Sequence, residues 1–178
     1  VELKKVLNTC TVAKDEIYAR WIEAAITEEK VLHAVVELAF GGTERERTRA
    51  CWILHHIGDR KPKLLNVFVP RMIEQLDHST TDAEVRFILR YFATQELPER
   101  ESDKGLLLDY SWNCMTNQKS AIAPRVYAMT IAYKMCGEHP ELAQELAQTI
   151  ENVVEYGSAG MKNRGGKIIQ WLRKDGLL

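Results

Sequence analysis

Asp82-Ala-Glu-Val-Arg86-Phe-Ile-Leu-Arg90-Tyr decides the architecture of this chain, because its first arginine has counterparts in three other stretches. Arg49-Ala-Cys-Trp-Ile-Leu, Arg125-Val-Tyr-Ala-Met-Thr and Arg164-Gly-Gly-Lys-Ile-Ile begin in the same way, and the four arginines stand 37, 39 and 39 residues apart. A period of this length with two helical stretches in it is the mark of a stacked helical repeat. One helix pair is too small to bury its own apolar face, so neighbouring pairs must supply the other side of the core. The expected fold is all-α: an α-α superhelix of about four helix pairs behind an N-terminal helical cap.

Punctuation sets the expected boundaries. Helices are expected at 2–8 and 12–26, the second with Ile17, Arg20, Trp21 and Ala24 at helical spacing. A third, 28–40, stops at Gly41-Gly42, and Thr43 with Glu46 three residues on has the spacing of a capping box that opens 44–58. In 62–77, Leu65, Phe68, Val69, Met72 and Leu76 form an apolar stripe that Pro70 should kink or split. Asp82 or Thr81 can cap 83–95, and 101–116 carries Leu107, Tyr110, Ser111 and Cys114 on one side. Ser120 is expected to cap 121–136, where Pro124 falls in the tolerant first turn. Residues 140–156 and 161–174 complete the set, the latter with Ile168, Ile169 and Leu172 inside. Residues 1–178 then read as one domain, with a cap at 1–26 and pairs at 28–58, 62–96, 99–136 and 139–174.

Composition suits that reading. With 178 residues, 46% of them hydrophobic and 28% charged, the chain can bury a continuous core. A net charge of −1 draws it toward neither nucleic acid nor membrane, and no apolar run is long enough for a span. No signal peptide is expected, although a start at Val1 is compatible with trimming. Cys10, Cys51, Cys114 and Cys136 are widely separated, a pattern that suits reduced thiols in a cytoplasm.

Asp82-Ala-Glu-Val-Arg86 resembles the opening of the second helix in HEAT repeats, with weaker versions at Thr48-Arg49, Pro124-Arg125 and Asn163-Arg164. The resemblance covers roughly residues 28–174 and implies that the arginine-bearing helices are the second of each pair, lining a concave face. Arg49, Arg86, Arg125 and Arg164 would then be either a structural ladder of hydrogen bonds to neighbouring turns or a row of anion-binding side chains; the ladder is the reading taken. One repeat breaks register: Arg90 stands where the others place Ile53, Met129 and Ile168, so either the repeat slips or Arg90 faces solvent.

Charge separates along the same division. Segments 43–61, 81–97, 119–137 and 159–178 carry +2, −1, +3 and +4, together +8, whereas 27–42, 62–80, 98–118 and 138–158 carry −2, 0, −2 and −5, together −9. One face should be basic. Arg45, Arg90, Lys134, Lys162 and Lys167 are the candidate concave-face contacts, as exposed cations of the second helices.

Catalytic signals are thin. Cys51 and His55 share a helix face at i, i+4, but two ligands make no metal site, and a Cys/His nucleophile would need an orienting third group. A buried thiol beside a hydrogen-bonded imidazole is expected instead, and no cofactor or metal. Trp112 three residues after Asp109, with Trp171-Leu-Arg173 near the end, is loosely similar to the HEAT-like DNA alkylation repair glycosylases, which implies phosphate contacts from the basic helices. Gly157-Ser158-Ala-Gly-Met161-Lys162-Asn163 faintly resembles a loop of the fumarase and adenylosuccinate lyase group, but without its proline or partner histidine motif; it reads as a turn before a helix. The expectation is a non-catalytic scaffold, monomeric or weakly oligomeric, that binds a protein or peptide, with nucleic acid as the alternative partner and no membrane association.

Overall fold

A computed structural model describes residues 2–9 and 16–178, and every described element is helical. The opening of the helix expected from residue 12, the Cys10 thiol and the Ile17 side chain lie outside the described residues. In order come α1 (Glu2–Thr9), α2 (Glu16–Thr27), α3 (Glu29–Gly41), α4 (Glu44–Arg60), a 3-10 stretch (Pro62–Phe68), α5 (Val69–His78), α6 (Asp82–Thr94), α7 (Glu101–Thr116), α8 (Ile122–Cys136), α9 (Leu142–Glu155) and α10 (Ala159–Lys174). The result is an all-helical, repeat-packed α-solenoid with an N-terminal helix and, among the described residues, no strand.

Two compact units, Val1–Tyr91 and Phe92–Leu178, divide the chain, and the division falls inside α6. In the first, α3 lies against α4, α2 against both, and α1 against α4. Val35, Val36 and Ala39 from α3 meet Ala50, Ile53, Leu54 and Ile57 from α4 in a core without solvent contact. In the second, α7 packs on α8, and α8 also contacts α9 and α10. Leu107, Met129, Ile131, Leu146, Ile168 and Leu172 fill its interior. A helix packed on several sides needs a wide apolar face, which is why α8, in contact with α7, α9 and α10, is the most thoroughly buried helix of the second unit.

Local chemistry explains most boundaries. Thr43 and Glu46 form a complete capping box on α4: the Thr43 Oγ1 accepts the Glu46 N–H, and the Glu46 carboxylate accepts the Thr43 N–H at 2.8 Å. The C-cap of α3 must be a glycine, Gly42, because a Cβ there would lie 2.6 Å from the Leu38 carbonyl oxygen and 2.8 Å from the Glu46 Cβ. Pro70 sits in the first turn of α5, after the 3-10 stretch, so the expected split occurs where the missing N–H costs least. Gly165 marks the closest approach of α10 to α9, since a Cβ would meet Ile150 and Val154 side-chain carbons at 2.8 Å.

Three expectations need correction. Ser120 does not cap α8; the N-cap is Ala121, whose side chain accepts nothing. On α2 the buried face is Tyr18, Ile22 and Ala25, one step round the helix from Trp21 and Ala24, which are half-buried. Arg90 does not face solvent freely: Phe87, Ile88 and Leu89 take the buried positions and leave the guanidinium to bridge to α4.

Candidate interaction surface

The arginine column is mostly consumed inside the protein. Arg49 donates from Nη1 to the Leu7 carbonyl at 2.5 Å, tying α4 to α1. Arg125 is buried and donates from Nε to the Met115 carbonyl at 3.0 Å, one of the last carbonyls of α7, which lack helical partners. Arg164 donates to the Thr130 hydroxyl at 2.9 Å, joining α10 to α8. Arg86 is the exception: it is exposed, and among the described residues no hydrogen bond or ion pair holds it.

A second, stronger ladder lies beside it in the first unit. Glu46 and Glu84, 38 residues apart, are both fully buried carboxylates three residues after a capping threonine. Glu84 accepts from the Thr80 and Thr81 backbone N–H groups at 3.1 and 3.0 Å, and from Gln75 Nε2 and Arg47 Nη1 at 2.9 Å each. Glu46 accepts Asn8 Nδ2 at 2.7 Å, with the Lys4 ammonium 3.7 Å away. The Thr43 N–H holds the Glu46 carboxyl below its ordinary value against the opposing push of burial, and Asn8, the Thr43 hydroxyl and Lys4 add to the lowering. Sequence reading found one capping box and treated it as a helix start. The repeated signal was the Thr-x-x-Glu pair at both Thr43 and Thr81, which falls at the repeat spacing.

The five candidate contacts separate into two groups. Arg90 pairs with Asp59 at 2.7 Å and places Nη1 3.4 Å from His55 Nδ1. Lys134 donates to the Phe92 carbonyl at 2.8 Å and to the Gln95 carbonyl, capping the C-terminal turn of α6. Burial lowers its pKa, the cost of holding an ammonium among carbonyls. These two are therefore half-buried cations paired within the fold rather than the freely exposed contacts expected, because neighbouring turns present acceptors within their reach. Arg45 is exposed on α4. Lys162 and Lys167 are exposed on α10, as are Arg173 and Lys174, and among the described residues none of the four has a hydrogen bond or ion pair. The segment of α10 contains no acidic residue.

Features weighed for chemistry have structural roles. Burial pushes the Cys51 thiol far above its ordinary value and lowers His55 to about 4, with Arg90 and Arg86 adding to the second shift. Arg90 donates to His55 Nδ1, so the ring is neutral there, and neither group has the charge a nucleophilic Cys/His pair needs. Among the described residues no group of three His, Cys, Asp or Glu side chains could hold a metal, and no helix is long and apolar enough to cross a membrane. Ser158 is the N-cap of α10, its Oγ accepting the Met161 N–H at 3.4 Å, so the glycine-rich segment around it is a helix start. Asp109 is exposed and Trp112 half-buried on α7, while Trp171 packs against Tyr133 with ring centroids 5.2 Å apart.

With the all-helical repeat packing and the repeat spacing in place, comparison with known families is decisive. The family model described as the HEAT repeat domain matches residues 4–170. The chain belongs to that family. No curated protein and no solved structure gives a significant match. The HEAT match starts within α1 and ends within α10, so most of α1 falls inside it, in keeping with the Asn8–Glu46 bond that spans 38 residues.

Proposed function

We propose that this HEAT repeat protein is a non-catalytic scaffold whose α10 holds an acidic segment of a protein partner. One observation carries the reading: Lys162, Lys167, Arg173 and Lys174 are exposed on a helix with no carboxylate of its own, while Arg90 of α6 and both cations of α8 serve the fold. Long cationic side chains without internal partners cost little to bring to an acidic surface and speed encounter with it. Residues 1–178 would act as one continuous repeat array in this reading, and α10 narrows the binding face expected of all the second helices.

Fluorescence anisotropy with a labelled peptide of alternating Asp and Leu tests it. The double substitution Lys162→Glu and Lys167→Glu should weaken binding about tenfold or more. Stability should shift by no more than about 0.5 kcal/mol, since both sites lie on the surface. Unchanged affinity sinks the assignment. The alternative partner, duplex DNA, is distinguished by titration at two salt concentrations: binding that falls steeply with salt and exceeds that of the acidic peptide would replace the protein reading with a phosphate-contacting one.

A further inference from the structure

We infer that the second unit contains a separate site, of opposite sign to α10, that takes an arginine- or lysine-bearing segment of a partner protein. A cleft of about 750 Å³ opens among the link from α6 to α7, the C-terminal end of α8 and the residues after α10. That volume lies within the range of ligand sites of roughly 300 to 1,000 Å³. Leu97, Pro98, Leu177 and the Tyr133 ring give it apolar walls on which the stem of a long side chain can lie.

Its charge decides what can enter. Four carboxylates, Glu96, Glu99, Glu138 and Asp175, line the cleft against two ammonium groups, Lys104 and Lys134. Both ammonium groups are already committed. Lys134 serves the Phe92 and Gln95 carbonyls, and Lys104 serves Glu101 at 2.9 Å and Glu138. Tyr133 donates to Asp175 at 2.7 Å, which fixes that carboxylate at the rim. Glu96 and Glu99 remain exposed, and among the described residues neither has a hydrogen bond or ion pair. The C-terminal ends of α8 and α10 add partial negative charge from their last carbonyls, since Cys136 precedes the lining Gly137 and Lys174 precedes the lining Asp175. An anion entering this cleft would find its cations taken, whereas a guanidinium or ammonium would find two carboxylates that make no hydrogen bond or ion pair, Glu96 feeling Lys134 only at longer range, and a field of matching sign. The inference concerns a different surface from the exposed cations of α10 and does not rest on that reading.

The test is anisotropy of a fluorescein-labelled peptide of alternating Arg and Leu, with the whole protein, in low-salt buffer. Glu96→Gln with Glu99→Gln should weaken binding about tenfold or more, while the control Glu145→Gln with Glu151→Gln, on the acidic face of α9, should change it less than about twofold. Circular dichroism should show both variants as helical as the parent. Absence of binding to the parent, or equal losses in the two variants, overturns the inference, the second result because it would show attraction to acidic surface in general rather than to this cleft.

Discussion

The two units hold their neighbouring helices together in different ways. In the first, each joint centres on a buried carboxylate: Glu46 gathers Thr43, Asn8 and Lys4, and Glu84 gathers Thr80, Thr81, Gln75 and Arg47. In the second, cations go to uncharged oxygens: Arg125 to the Met115 carbonyl and Arg164 to the Thr130 hydroxyl. The place three residues after the α10 cap, occupied by glutamate on α4 and α6, is Met161, which is buried and apolar. Among the described residues the buried carboxylate of the second unit is Asp103, on α7, clamped by the Arg100 side chain at 2.9 and 3.0 Å. One repeat architecture thus tolerates two kinds of lock, each of which gives its own buried polar groups partners. The charged kind is the more fragile when half of it is removed, because the remaining partners are left desolvated.

That difference can be broken at the first unit. Glu84→Ala strands Arg47 and Gln75 and should cost about 3 to 5 kcal/mol in urea denaturation, with hydrogen exchange faster in α4 and α6. A loss under about 1 kcal/mol would mean that water replaces the carboxylate and that the ladder is not a lock. The matching removal in the second unit, Arg125→Ala, gives up one hydrogen bond from a guanidinium to an uncharged carbonyl and strands no carboxylate, so it should cost less, about 1 to 3 kcal/mol. If it matched Glu84→Ala, the contrast between units would disappear.

Acid sharpens the comparison with the smallest effect. The Glu46 carboxyl is held below its ordinary value of 4.5 in the folded state, so the folded form favours the ionised group. Its contribution is complete above that ordinary value and is lost as pH falls through the lower folded one. Denaturation midpoints of the parent should therefore decline below about pH 4.5 more steeply than those of Glu46→Gln, which has no proton to take up there. Identical pH dependence in the two proteins would remove Glu46 from the acid response.

Legibility followed the range of the forces involved. Helix positions were readable because caps, glycines and prolines act within a few residues: α7 spans the expected Glu101–Thr116, and α5 begins beside Pro70. Cys51 and His55 were read as a buried thiol and a hydrogen-bonded imidazole, as found. Lys134 was misread because its acceptors, the Phe92 and Gln95 carbonyls, lie 42 and 39 residues earlier and nothing nearby in sequence marks them as unpaired. Arg90 was misread for the same reason, with Asp59 on another helix.

The sequence by itself determined the helices and the repeat, since periodicity and capping are local and the arginines recur at the repeat spacing. Only the tertiary structure decided which cations remain available outside. Whether an arginine or lysine is a lock or a contact depends on which carbonyl or carboxylate a neighbouring repeat brings within about 3 Å, and that distance exists only once the helices have stacked.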